Sequence, residues 1–310
     1  MRIVFMGTPA FAVPSLDALA RAGHELLCVV AQPDRPAGRG QALRAPATKE
    51  WAAARGVPVL QPVKVRDGTL RAALAPLEPD ALVVAAYGRI LGKDLLTLAP
   101  HGAVNVHGSL LPKYRGAAPI QWAVANGDAE TGVTIMQMDE GLDSGDVLLQ
   151  RALPIGPADT AEALSPKLAA LGGEALVEAL SLLAAGQLTP VKQDPTGVTL
   201  APILSKEDGK VDWTRPAPAI AARLRGFTPW PGAWTTLEGK TVKLLDVEPL
   251  DDDARGAPGA GGKLAGRGLA VACGGATTLL VKRLQPEGKG AQDALAFLNG
   301  LRRDTVAFAT

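Results

Sequence analysis

The sequence predicts an α/β protein in two parts: a parallel, helix-covered sheet first, and a small all-β barrel or sandwich after it. Three observations carry this. Short apolar runs of strand length alternate with helical patterns through the first half. A long helical pattern at 162–185 and a Pro-containing stretch of little periodicity then interrupt the alternation. Beyond them, short β-type runs recur between Gly-rich turns. The 310 residues exceed the usual single-domain size, and these textures divide them into a domain over 1–188, a linker over 189–204 and a second domain over 205–310.

Element by element, the apolar run 2–6 is a first buried strand. Gly7, Thr8 and Pro9 break it too early for a secretion signal. Residues 14–22 form a short helix that stops at Gly23, and 25–31 a strand rich in Leu and Val. Helical patterns at 47–55 and 67–77 alternate with strand-length runs at 57–60, 81–86 and 103–106. A helix at 118–126, β-rich runs at 132–138 and 147–153, and the long helix complete the first part. In the second, a helix at 218–225 precedes strands at 235–237, 241–247, 268–272 and 277–283, with a closing helix at 291–298. Four glycines and a proline make 256–262 a mobile loop.

Composition excludes several classes of function. The chain is 47% hydrophobic and 20% charged, as globular proteins are, with no apolar run long enough for a membrane helix. With 32 Lys and Arg against 31 Asp and Glu, any nucleic-acid site has to be local. Cys28 and Cys273 are too few and too far apart for a disulfide framework, which suits a reducing cytoplasm. Three histidines without CxxC or HExxH argue against a metal site. The first strand-to-helix turn has one glycine, Gly7, where a dinucleotide site has three, and no phosphate-binding GxxxxGK[ST] occurs.

Ligands of open α/β sheets bind beyond the carboxyl ends of the strands. The richest such end is Asn105-Val106-His107-Gly108-Ser109-Leu110-Leu111-Pro112-Lys113-Tyr114-Arg115-Gly116. Asn105 and His107, two apart on a strand, share a face. An amide donor beside an imidazole suits acyl transfer, where an oxyanion needs a fixed donor and a nitrogen needs proton traffic. On spacing alone, a turn-capping Asn and a satisfied strand-end His are the more ordinary reading. A second cluster, Asp139, Glu140, Asp143 and Asp146, follows another apolar strand. It reads as a solvated turn or as the source of a carboxylate that orients His107, and spacing does not select which one.

The run from Asn105 to Pro112, with Arg115-Gly116-Ala117-Ala118-Pro119-Ile120, Gly132-Val133-Thr134-Ile135-Met136 and Gly141-Leu142-Asp143-Ser144-Gly145-Asp146, strongly resembles the folate-dependent formyltransferase superfamily. The opening Phe5-Met6-Gly7-Thr8-Pro9-Ala10-Phe11, the loop from Gln32 to Gly40 and Phe227-Thr228-Pro229-Trp230-Pro231 look like its tRNA-directed branch. The resemblance spans essentially the whole chain.

That resemblance implies a Rossmann-like, mostly parallel catalytic domain followed by a β-barrel of the oligonucleotide-binding (OB) type that contacts tRNA. It implies Asn105, His107 and Asp143 as the catalytic set, with the formyl group of 10-formyltetrahydrofolate passing to the α-amino group of methionine on initiator tRNA, without a metal. Ser144 stands where the family often has Thr, and the hydroxyl is kept. By the same comparison Ser109, Leu110, Leu111 and Pro112 bind tetrahydrofolate, with Tyr87, Gly88 and Arg89 at the pterin pocket, where Tyr87 equally fits a core position. Segment 31–46 corresponds to the family's tRNA-reaching loop. It sets Arg35, Arg39 and Arg44 against Asp34, with Arg39 matching the contacting arginine. A cytoplasmic monomer fits the family. The competing readings are a relative that formylates a nucleotide or sugar amine or hydrolyses the folate donor, and a tRNA- or folate-binding module without catalysis. The Arg39 loop together with the second domain argues against the first, and the joint presence of Asn105, His107 and Asp143 against the second.

Overall fold

A computed structural model describes residues 1–37, 42–252 and 256–309. Its contacts separate two units that interleave in sequence: 1–119 with 130–154 and 165–202, and 120–129 with 155–164 and 203–310.

The first unit is built on one sheet. Strands β1 (Arg2–Gly7), β2 (Glu25–Val30), β5 (Val59–Leu60), β6 (Ala81–Ala85) and β7 (Ala103–His107) run parallel. A hairpin of β3 (Arg35–Ala37) and β4 (Ala42–Arg44) lies between β2 and β5 in the chain. The short β8 (Arg115–Gly116) follows β7. Antiparallel β9 (Glu130–Gln137) and β10 (Val147–Pro154) then extend the edge, in the order β10-β9-β7-β6-β1-β2-β5. The parallel strands are apolar at nearly every position because both faces are covered: Ile3 to Met6 and Ala81 to Val83 are all but inaccessible. The chain builds outward from β1 to β5, then returns to β1's other side with β6, so the topological switch lies between β1 and β6.

Helix α1 (Val13–Arg21) enters through Pro14 in its first turn and is followed by Gly23 at φ 76°. Helices α2 (Ala47–Ala53), α3 (Thr69–Leu74) and α4 (Lys93–Leu96) occupy the other crossovers. The long α6 (Ala161–Ala184) approaches the sheet closely through Gly172, where a Cβ would stand 2.8 Å from Val106. Val106 therefore faces the helix, and Asn105 and His107 face the opposite side. Gly7 is fixed by a comparable approach: a Cβ there would meet the Ala85 carbonyl and the Phe5 ring at 2.7 Å.

Segment 189–204, read as a linker, is paired along the first unit. Val191 bridges Val147, and β11 (Leu200–Ala201) runs parallel to β8. Its backbone hydrogen bonds go to distant residues, so local periodicity carried no sign of them.

In the second unit, α5 (Pro119–Ala125) meets α7 (Ala217–Phe227) at Gly226, where a Cβ would lie 2.5 Å from the Ala125 nitrogen. Trp122 and Phe227 stack edge to face there. These contacts join 120–129 to the C-terminal part across the boundary drawn at 188. Strands β12 (Ala233–Leu237), β13 (Lys240–Leu250), β14 (Ala260–Leu264), β15 (Gly268–Ala272), β16 (Thr278–Pro286), β17 (Gln292–Asp293) and β18 (Thr305–Ala307) form a curled antiparallel sheet. Its order is β12-β13-β16-β15-β14-β18, with β17 on β16. Register shifts in β13 around Asp246 bend it, and the Ala309 N–H reaches the Thr236 carbonyl of β12 at 3.0 Å, bringing the far ends together. Trp213, fully buried, stacks on Phe308 and donates to Thr235 Oγ1. Helix α8 (Ala294–Leu301), capped by the Asp293 carboxylate, covers this core.

The expected loop at 256–262 is in part strand β14. Gly261 belongs there because a Cβ would stand 2.9 Å from Leu269 Cδ1; the glycines that imitate a loop are what the packing admits.

Candidate active site

Asn105 and His107 lie at the carboxyl end of β7, paired with Met136 and Thr134 of β9. His107 is buried. Its Nε2 stands 2.9 Å from the Tyr114 carbonyl oxygen and its Nδ1 3.7 Å from Asp143 Oδ2. A carbonyl only accepts, so the proton of the neutral imidazole belongs on Nε2, and Nδ1 presents a lone pair towards the carboxylate. Asp143 Oδ2 is itself held by the Gly116 N–H at 2.8 Å. Both groups flanking the ring sit on left-handed backbone, Tyr114 at φ 61° and Asp143 at φ 46°. Such strain persists only where the surroundings fix it. The carboxylate cluster thus resolves: Asp143 turns to His107, while Asp139 accepts from Ser144 Oγ and the Gly141 N–H and closes its own turn.

Asn105 is 8% exposed, and among the described residues its amide has no hydrogen-bond partner. Its nitrogen and oxygen are not sealed from solvent as the Tyr87 hydroxyl is. Asn105 shares a face of β7 with His107.

Ser109 to Pro112 fold back onto the β9 face. Thr134, fully buried, donates to the Ser109 carbonyl at 2.7 Å and accepts from the Leu111 N–H at 3.0 Å and from Gln150 Nε2 at 2.9 Å. Gln150 also donates to the Leu111 carbonyl, and Ser109 Oγ to that of Lys113. The Leu111–Pro112 peptide is cis.

At the switch point, the Tyr87 carbonyl accepts from Thr8 Oγ1 at 3.3 Å and Gln32 Nε2 at 2.7 Å. The Tyr87 ring lies in the core, 2% exposed, its hydroxyl unpaired and its ionisation pushed up by burial. What this turn offers the crevice is therefore backbone, with exposed Gly88 and Arg89 beside it. Gly88, at φ 74°, leaves room for Gln32 Nε2, which would stand 2.6 Å from a Cβ.

Residues 1–180 match the Formyl transferase family, and 203–302 its C-terminal domain. The chain belongs to the formyl transferase family. It is 72% identical to the methionyl-tRNA formyltransferase of Anaeromyxobacter dehalogenans strain 2CP-1, over 100% of both chains. Identity to that of Myxococcus xanthus strain DK1622 is 54%, over 96% of this chain and 95% of the relative. Among solved structures, the N-formyltransferase of Helicobacter canadensis in complex with folinic acid and dTDP-3-aminofucose superposes with TM-score 0.69 at 16% identity, covering 92% of this chain and 98% of that one. HypX of Aquifex aeolicus in complex with tetrahydrofolic acid does so with TM-score 0.61 at 18% identity, over 96% of this chain and 47% of that one. At such identities these structures share the formyl transferase fold.

In this formyl transferase the arginine-bearing segment is anchored at its base. Lys49 Nζ reaches both Asp34 carboxylate oxygens at 2.9 and 2.8 Å, and Gln61 Nε2 donates to Asp34 Oδ1 at 2.7 Å. Hydrogen bonds from Gln61 and Lys49 hold the Asp34 carboxyl below the usual carboxylate range. The segment's one carboxylate is thus already neutralised. Arg35 and Arg44 stand directly opposite each other across the hairpin, an unfavourable pairing of like charges. Arg35 donates to Gln32 Oε1, and Arg44 is exposed without a partner among the described residues. Arg39 lies outside the described residues.

Reasoning from sequence missed Thr134, Gln150, Gln193, Thr199 and Gln32, whose hydrogen bonds hold the candidate site in shape. One signal was present: a hydroxyl at Thr134 inside the apolar run Val133 to Met136. The amide side chains carry none, because their partners are distant backbone carbonyls.

Proposed function

We propose that this formyl transferase moves the formyl group of 10-formyltetrahydrofolate to the α-amino group of methionine esterified to initiator tRNA, with Asn105, His107 and Asp143 as its catalytic residues. The observation that carries the reading is His107, fixed between the Tyr114 carbonyl and Asp143 with the unpartnered amide of Asn105 on its face of β7. The full-length likeness to methionyl-tRNA formyltransferases supports the choice of acceptor.

The folate supplies an activated formyl carbon. Asn105 donates a hydrogen bond to the formyl oxygen as negative charge builds on it. His107 takes up a proton at Nδ1 as the methionyl amine attacks, and Asp143 stabilises the imidazolium. The proton lost by the amine then balances the one gained by the departing folate nitrogen. The unpaired Asn105 amide and the polar side chains of Thr8 and Gln32 at the switch point fit such a donor. The pterin lies against the backbone of Gly88 with Arg89 beside it, Tyr87 shaping that turn from the core, and against the turn formed by Ser109, Leu110, Leu111 and Pro112. Arg35, Arg39 and Arg44 take tRNA phosphates, which relieves the repulsion between Arg35 and Arg44.

An acceptor panel tests the reading. Purified protein with 10-formyltetrahydrofolate is given methionylated initiator tRNA, glycinamide ribonucleotide or a nucleotide-linked amino sugar. Formyl transfer to the tRNA is the expected result; transfer to either small amine in its place overturns the assignment.

A further inference from the structure

The stretch that sequence presents as a linker holds the active site's carboxylate in place. Gln193 is half-buried, and its amide is fully used. Nε2 donates to the carbonyls of Asp143 and Gly145, both at 2.8 Å, and Oε1 accepts from Arg115 Nε at 3.0 Å and Nη2 at 2.7 Å. These four bonds join the two segments that flank His107. One is the turn carrying Asp143. The other is 114–116, which supplies the Tyr114 carbonyl to His107 Nε2 and the Gly116 N–H to Asp143 Oδ2.

The result is a closed ring of contacts. The Asp143 main chain is tied to Gln193, Gln193 to Arg115, and Arg115 is followed by Gly116, which holds the Asp143 side chain. Thr199 adds a second tie from the same stretch: its Oγ1 accepts from the Tyr114 N–H at 2.8 Å and its carbonyl from the Arg115 N–H at 2.9 Å. Asp143 needs such a brace, since its φ of 46° is unfavourable for a side-chain-bearing residue. A turn freed to relax carries the carboxylate away from His107, and displacement by about 1 Å costs on the order of a hundredfold in rate.

We propose that Gln193 is a positioning residue for the reaction, setting Asp143 against His107. This rests on the reading of Asn105, His107 and Asp143 given above. An anchor that merely fastens the chain would affect folding alone, whereas a positioning residue works through Asp143.

The test measures kcat and both KM values on the full-length protein for Gln193→Ala, Gln193→Glu, Asp143→Asn and the double variant Gln193→Ala/Asp143→Asn. Gln193→Ala is expected to lower kcat by about tenfold or more, with each KM within about twofold. Gln193→Glu keeps an acceptor for Arg115 but cannot donate to the two carbonyls, so it falls at least as far. In the Asp143→Asn background, Gln193→Ala costs less than about twofold. A full, multiplicative loss in that background overturns the proposal, as does wild-type kcat in Gln193→Glu. If Asp143→Asn is crippled while Gln193→Ala is not, the brace alone falls. Wild-type turnover in Asp143→Asn removes the underlying site reading and the brace with it. Should Gln193→Ala not fold, Gln193→Met, which keeps the side-chain length, takes its place with the same expected outcomes.

Discussion

Asp143 Oδ2 stands 3.7 Å from His107 Nδ1 while accepting the Gly116 N–H at 2.8 Å. The carboxylate is thus anchored by the backbone and faces an imidazole nitrogen without a direct hydrogen bond. In the proposed transfer this leaves Nδ1 open to the amine's proton, with a carboxylate beside it.

Asp143→Asn keeps the shape and an acceptor for Gly116 but removes that charge. Steady-state kinetics should show kcat down by about 10²-fold or more with both KM values near wild type. A kcat within a fewfold of wild type would show that the charge does not matter to turnover.

Asn105→Ala should separate activity from stability. Removing an oxyanion donor costs about 10²–10³ in kcat. The amide has no hydrogen-bond partner among the described residues and is not sealed from solvent, so urea denaturation should show stability within about 1 kcal/mol of wild type. A marked destabilisation would mean that the amide has a structural partner.

Arg44→Ala should weaken methionyl-tRNA binding and leave folate binding alone. Titrations across salt concentrations should give a slope of log affinity against log salt about one unit shallower, as expected for one lost phosphate contact. An unchanged slope would place Arg44 off the tRNA.

Burial pushes the Cys28 thiol up to about 11 and that of Cys273 to about 12, from 9.0. Folding therefore favours the protonated thiols. Their contribution is complete below about pH 9 and is lost as pH rises towards 11–12, because the unfolded chain releases these protons first. Denaturation curves at pH 8 and pH 10.5 should show a steeper loss for wild type than for Cys28→Ala/Cys273→Ala. Equal losses would mean that neither thiol is protected.

The strand carrying Asn105 and His107 was legible in the sequence because a strand covered on both faces writes itself as an unbroken apolar run, in which an Asn and a His stand out. On spacing, Asp143 was legible only as one of several carboxylates, and only the family resemblance singled it out. Its selection depends on a left-handed turn and on Gly116, and both arise from tertiary contacts. Gln193 and Thr199 were invisible because their partners, backbone atoms and the Arg115 guanidinium, are distant in sequence. Strand β14 was concealed by glycines that look like a loop until Leu269 is seen filling the space beside Gly261.

The most direct measurement is single-turnover transfer of a labelled formyl group from 10-formyltetrahydrofolate to methionylated initiator tRNA, with wild type and His107→Ala side by side. The account predicts formylmethionyl-tRNA from wild type and a rate lower by about 10²-fold or more in His107→Ala, at unchanged thermal stability. Equal rates in the two proteins, or no labelled tRNA from wild type, would contradict it.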